Sequence, residues 1–124
     1  MSDPRHRLGL AAEEATAAWL ASCGWSVLRR RWRPVAGGGE LDLVAIDPDG
    51  VLVAVEVRAR RSSRAGSPAH SVDARRIARL RRSLAATGAS EVGAHTGLRV
   101  DLVTAEPAAD GHGRWLLVRI PGIG

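Results

Sequence analysis

The sequence predicts an α/β fold: a central mixed β-sheet flanked by helices. Three observations carry this. The segments run in the order helix, three strands, helix, strand, strand. Each helical segment has one apolar stripe to cover, and the middle strands alternate as a sheet packed against a helix does.

Leu8, Ala12, Ala15, Trp19, Leu20 and Cys23 recur at helical spacing, and Gly24 follows as a stop, so the first helix covers about 8–23. Glu13 lies beside that stripe. Cys23 is expected as a small buried filler. Trp25 to Arg33 reads as a strand, with Trp25 and Val27 inward and Arg29 to Arg31 outward; a flexible turn covers 34–38. Hairpin strands follow at about 39–47 and 51–59. Residues 60–70 form a loop rich in Arg, Ser and Gly. Ser71 is placed to cap a second helix that runs to about Thr87, with Gly88 after its end and Ile77, Leu80 and Leu84 as its buried stripe. Leu98–Thr104 and Trp115–Ile120 supply the last strands.

The turn between the hairpin strands sets their register. In Asp47-Pro48-Asp49-Gly50-Val51, Pro48 pre-sets the first turn position and Gly50 takes the left-handed one, which suits a three-residue loop pairing Asp47 with Val51. Asp42 then lies directly opposite Glu56, and Glu40 opposite Arg58. Leu41, Leu43, Ala45, Val53, Val55 and Val57 share one apolar face. The other face is apolar near the turn and charged at its far end.

That charged end is the most informative feature of the chain. Desolvating a carboxylate costs several kcal/mol, roughly, unless a cation compensates it. Directly opposed residues have Cβ atoms roughly 4.5–5.5 Å apart, where like charges repel. An Asp42–Glu56 pair is therefore stable with a bound cation, a bridging basic side chain or a shared proton. Divalent Mg²⁺ suits such a pair, being commonly held by one or two carboxylates. A solvated sheet edge or a slipped register are the bland alternatives.

Composition bounds the rest. A chain of 124 residues, 45% hydrophobic, predicts a single domain over 1–124 rather than disorder. No apolar run reaches membrane-spanning length and the start lacks a secretory apolar region, so a cytoplasmic protein without a membrane partner is expected. One cysteine excludes an internal disulfide and a Cys-based zinc site. The net charge of +5 and pI near 11.3 favour polyanionic partners. All 18 basic residues are Arg, and Lys, Asn, Gln, Phe and Tyr are absent, which looks like genome-wide nucleotide bias. From Pro34 to Val57 there are five acids and no base; from Arg58 to Arg82, nine Arg stand against Asp73 alone. A metal site flanked by phosphate-binding Arg would have this order. For Arg75, Arg79 and Arg82, a solvated helix face is the rival account.

The residues Leu8-Gly9, Glu13, Trp19-Leu20, Gly24-Trp25, Gly39-Glu40-Leu41-Asp42-Leu43, Val55-Glu56-Val57-Arg58-Ala59-Arg60, Gly66-Ser67-Pro68 and Arg99-Val100-Asp101-Leu102-Val103 together carry a resemblance. Over nearly its whole length the chain resembles the YraN-like family of small bacterial proteins, with the restriction-endonuclease-like, PD-(D/E)XK fold of Holliday-junction resolvases and its αβββαβ core. The resemblance implies that Asp42 and Glu56 are catalytic metal ligands for Mg²⁺ or Mn²⁺, with Glu13 a third carboxylate for the metal. It casts Arg58 as the third catalytic residue, in the position of the motif's Lys, while Arg76 stands where the family usually carries another Lys. Arg stays protonated where a desolvated Lys can shift toward neutrality, so Arg58 can stabilise phosphate charge but not serve as a general base. By register it also faces Glu40, which makes a cross-strand ion pair a rival role.

Two main functions follow as expectations: a metal-dependent endonuclease acting on DNA, branched DNA included, with Arg60, Arg61, Arg64 and Arg76 on flanking phosphates; or a nucleic-acid- or partner-binding module that has lost turnover. An assembly factor docking its basic helix on an acidic protein is a third class, and a homodimer is an open assembly state. No helix-turn-helix spacing, zinc-finger pattern or stacking platform supports base readout. Trp19 and Trp25 fit the core, Trp32 is free to meet a phosphate or base, and the four scattered His suggest neither zinc site nor triad.

Overall fold

Asp3 and Pro4 start the first helix a turn earlier than its periodicity predicts. The Asp3 carboxylate accepts from the Arg5 N–H and Pro4 takes the first turn, so α1 spans Pro4–Ser22. The computed structural model describes residues 3–61 and 72–123. After α1 come β1 (Ser26–Trp32), β2 (Leu41–Ile46), β3 (Leu52–Ala59), α2 (Ala74–Ser90), β4 (Leu98–Pro107) and β5 (Trp115–Ile120). The strands lie side by side in chain order, antiparallel except for β3 and β4. That one parallel pair needs a crossover, and α2 supplies it. The result is an α/β fold with a five-stranded mixed sheet and two helices, consistent with a restriction-endonuclease-like arrangement.

Each sheet face has its own core. Ala17, Leu20 and Trp25 pack on Leu43, Ala45, Val53, Val55 and Val103 on the α1 side. Leu80 and Leu84 of α2 pack on Val44, Leu52, Ala54 and Val100 on the other. The strands between are buried on both sides and read as near-continuous apolar runs. Among the described residues no helix is long and apolar enough to cross a membrane.

The hairpin register is as the turn dictates. Asp47 N–H donates to Val51 O at 3.0 Å, Gly50 sits at φ +90°, and Ile46, Ala45, Val44 and Leu43 face Leu52, Val53, Ala54 and Val55. Three expectations need correction. Leu41 joins the α2-side core rather than the α1 side; the β2–β3 ladder ends at Leu43–Val55, and Leu41 stays paired with Trp32 of β1, which packs on that same α2-side core. Cys23 is exposed, because it falls at the C-cap after the buried face of α1 has ended. Gly88 lies inside α2, which runs on to Ser90 and is capped at its start by Asp73, whose carboxylate accepts from the Arg76 N–H at 2.9 Å. The proposed cap, Ser71, is outside the described residues.

Trp32 is packing rather than a free platform. Its ring lies against the α2-side core, its Nε1–H donates to Thr87 Oγ1 at 3.1 Å, and Arg29 stacks 5.0 Å from the ring centre.

Candidate functional site

Where the β2–β3 ladder stops, the next residue on each strand is one of the two acids. Asp42 Oδ2 accepts the Val57 N–H at 2.9 Å, so its carboxylate closes the ladder in place of a main-chain carbonyl. Glu56 is almost fully buried, 2% exposed. The two carboxyls are close enough that each shifts the ionisation of the other. Glu56 lies on the face of Ala54, and α2 covers that face. The Arg76 guanidinium, in the first turn of α2, donates through Nε to Glu56 Oε2 at 2.5 Å, and Arg58 Nη2 stands 3.8 Å from the same oxygen.

These contacts split the ionisation of the pair. Burial pushes the Asp42 carboxyl up to about 8, and the hydrogen bond and charge of Glu56 push the same way. Burial also pushes Glu56 up, but the hydrogen bonds from Asp42 and Arg76 and the charges of Arg76 and Arg58 outweigh it and hold Glu56 below its usual range. The pair thus favours one proton, with Asp42 the acid pushed toward holding it and Glu56 the one held toward the carboxylate. Of the three remedies for opposed acids, the split ionisation is that of a shared proton, and both arginines stand on the Glu56 side without bridging to Asp42.

The chemistry of this donor set suits a hard divalent cation. It offers two carboxyls at adjoining strand positions, one of which must lose its proton and the other its arginine before an ion takes both. Glu13 enters from α1 on the opposite side of the sheet. It is half-buried; burial raises its carboxyl, and it feels Glu56 only as one of several charges around it. Among the described residues no three His, Cys, Asp or Glu side chains converge closely enough to hold a metal ion, so Glu13 stands beside the pair without completing a three-carboxylate pocket.

The basic residues divide as well. Arg58 does not face Glu40, whose strand pairing never forms; Glu40 instead meets Arg33 at 3.8 Å. The Arg58 Nε is buried and lacks a hydrogen-bond partner among the described residues. Arg76, expected on a phosphate, is committed to Glu56. Arg60 and Arg61 follow β3 at the same end, and Arg64 is outside the described residues. Beside the pair opens a cleft of about 280 Å³ lined by Arg33, Gly39, Glu40, Arg76, Arg79 and Leu80. A larger cavity of about 350 Å³ lies away from the acids against Leu84, Leu98 and Val100; it is mainly apolar, and its Arg99 is already paired.

The matching family model covers residues 12–105 and is described as Uncharacterised protein family UPF0102. The chain belongs to that family. This UPF0102 chain is similar to a UPF0102 protein of Deinococcus radiodurans, 41% identical over 103 residues and 82% of each chain. It is also similar to one of Symbiobacterium thermophilum, 40% identical over 114 residues, covering 91% of this chain and 93% of the other. A UPF0102 protein of Chloroflexus aurantiacus is 35% identical over 107 residues, 83% of this chain and 82% of its own. The family membership bears out the YraN-like resemblance.

Sequence reasoning missed a second acid cluster in the same UPF0102 chain. Asp101, fully buried on β4, accepts from Arg99 Nε at 2.8 Å and Nη2 at 3.1 Å, Arg119 Nη1 at 2.9 Å and the Gly122 N–H at 3.0 Å. Arg99 also donates to Asp47 at 2.9 Å, and both arginines stack on Trp25. The signal was available: Asp101 is an acid in the apolar strand Val100–Val103, the criterion that singled out Asp42 and Glu56.

Proposed function

We propose that this protein binds the nucleic-acid backbone, DNA in particular, at the open end of the β2–β3 hairpin, and that it hydrolyses phosphodiesters there with a divalent metal. The observation that carries this reading is the Asp42–Glu56 pair itself, two acids at adjoining strand positions beside Arg58, whose buried Nε has no hydrogen-bond partner among the described residues. Asp42 and Glu56 would hold Mg²⁺ or Mn²⁺, with Glu13 reinforcing the negative field from the other layer. When bound, the metal lowers the pKa of a coordinated water and polarises the scissile phosphate. Arg58 donates to the phosphate oxygens as charge develops, and being always protonated it stabilises charge without accepting a proton. Arg60 and Arg61 hold flanking phosphates.

The test is divalent-dependent cleavage of linear, flapped and four-way DNA. Cleavage is expected for the wild type and lost in Asp42→Asn, while Arg58→Lys raises the rate by restoring a group able to lose its proton. The Arg76–Glu56 ion pair favours a second reading, binding without turnover. Absence of cleavage by both wild type and Arg58→Lys on every substrate selects it, provided binding weakens with salt at a log–log slope of about −0.9 per neutralised phosphate.

A further inference from the structure

We propose that Arg76 is a shared cation, held by Glu56 in the free protein and drawn to a backbone phosphate when one enters the adjacent cleft, so that polyanion and divalent metal bind cooperatively. The inference rests on the metal reading above and adds to it a binding cleft and a coupling device. Arg76 belongs to both places, since it lines the cleft and donates to Glu56 Oε2. Its side chain is 37% exposed, whereas Glu56 is buried, so the guanidinium is the partner able to leave. Its backbone is fixed by the Asp73 cap, which lets the side chain swing without moving α2.

The cleft suits a phosphate. Arg33 and Arg79 line it with Arg76, against the single carboxylate of Glu40. Arg33 holds Glu40 only loosely, at 3.8 Å with both side chains exposed, and Arg79 is exposed and enters no ion pair or hydrogen bond among the described residues. Its volume is that of about nine waters, ample for a phosphodiester. Guanidinium groups take phosphate oxygens in bidentate pairs, which makes the cleft a competitor for Arg76. A metal ion and Arg76 compete for the same Glu56 oxygen, so removing Arg76 favours metal, and by linkage metal favours the phosphate-bound arginine.

The experiment titrates Mg²⁺ into the full chain by calorimetry, with and without a short phosphorothioate DNA duplex, which keeps its charge and resists hydrolysis. R76Q is expected to bind Mg²⁺ about tenfold more tightly than wild type without DNA. The duplex should tighten Mg²⁺ binding severalfold in wild type and leave R76Q unchanged. R79Q, altered only at an exposed position, should keep the DNA-free Mg²⁺ affinity and lose most of the duplex-induced gain. R75Q, an equal charge change outside the cleft, should match wild type in both. Equal Mg²⁺ affinity in R76Q and wild type, or an R75Q gain as large as that of R76Q, overturns the shared cation and leaves the metal reading standing. An R79Q protein that keeps the full duplex-induced gain overturns the cleft. Absence of Mg²⁺ heat in wild type and R76Q alike removes the metal reading and the inference together.

Discussion

The two ends of the β2–β3 hairpin carry acids in opposite electrical states. At the turn end, Asp47 and Asp101 share Arg99, Asp101 also receives Arg119 and a backbone N–H, and its carboxylate oxygens are saturated by donors. At the open end, Glu56 has, among the described residues, one close arginine and one distant one, and the Asp42 carboxyl beside it is pushed up by burial and by Glu56. Both sets lie in the same pair of strands or next to it. The difference lies in fixed donors: the saturated set ties Trp25, the hairpin turn, β4 and β5 together, while the open-end set rests, among the described residues, on Arg76, Arg58 and the Val57 N–H. Burial of charge thus marks two roles here, and the count of fixed donors separates them.

The largest way to break this comparison is Asp101→Ala. It strips a shared partner from two half-buried arginines and should cost about 3–5 kcal/mol, the range for removing one member of a buried ion pair. Urea unfolding measures it; a loss below about 1 kcal/mol would mean the network is not structural. Next comes pH, in the metal-free protein. Burial and Glu56 raise Asp42 from the usual 3.8 to about 8, so the folded state keeps a proton that the unfolded chain releases. Stability is therefore full below the lower value and falls as pH climbs toward 8, on the order of 1 kcal/mol per pH unit. Glu56 acts the other way, since its lowered carboxyl contributes stability that is lost as pH drops below the usual glutamate range. A stability maximum between these windows, with the alkaline decline absent in Asp42→Asn, is the expected profile in melts across pH. The smallest effect is Asp42→Asn itself near pH 5, where the neutral amide replaces a neutral acid. Its stability should lie within about 1 kcal/mol of wild type, in contrast to Asp101→Ala.

The fold was legible because local rules agreed. Element order, the hairpin loop and the register from Leu43–Val55 to Ile46–Leu52 all follow from alternation and from Pro48 and Gly50. The placement of Asp42 beside Glu56 follows from that register. What fills the space between them did not follow. Arg76 arrives from a helix that crosses from β3 to β4, and no periodicity says which of nine clustered arginines will face an acid 20 residues earlier. The Asp47–Arg99–Asp101–Arg119 network was illegible for the same reason, joining residues from the hairpin turn and two later strands. The sequence marks Asp47 as a turn residue, which it also is, accepting from the Asp49 and Val51 N–H groups. Leu41, Cys23 and Gly88 depart from the pattern at or near element ends: Leu41 has lost its β3 partner and keeps only Trp32, Cys23 is a C-cap, and α2 runs two residues past Gly88.

Gly88 seats the far end of α2. A Cβ there would meet Leu52 Cδ2 and His95 Nε2 at 3.1 Å, so the bare backbone lets the far end of α2 settle onto the sheet. Arg76 lies twelve residues away on the same rod, about 18 Å at 1.5 Å per residue. A methyl group added at Gly88 would need Leu52 or His95 to give by a few tenths of an ångström. The seating of the helix that carries Arg76 therefore depends on a residue remote from the acids, whose contribution is to have no side chain.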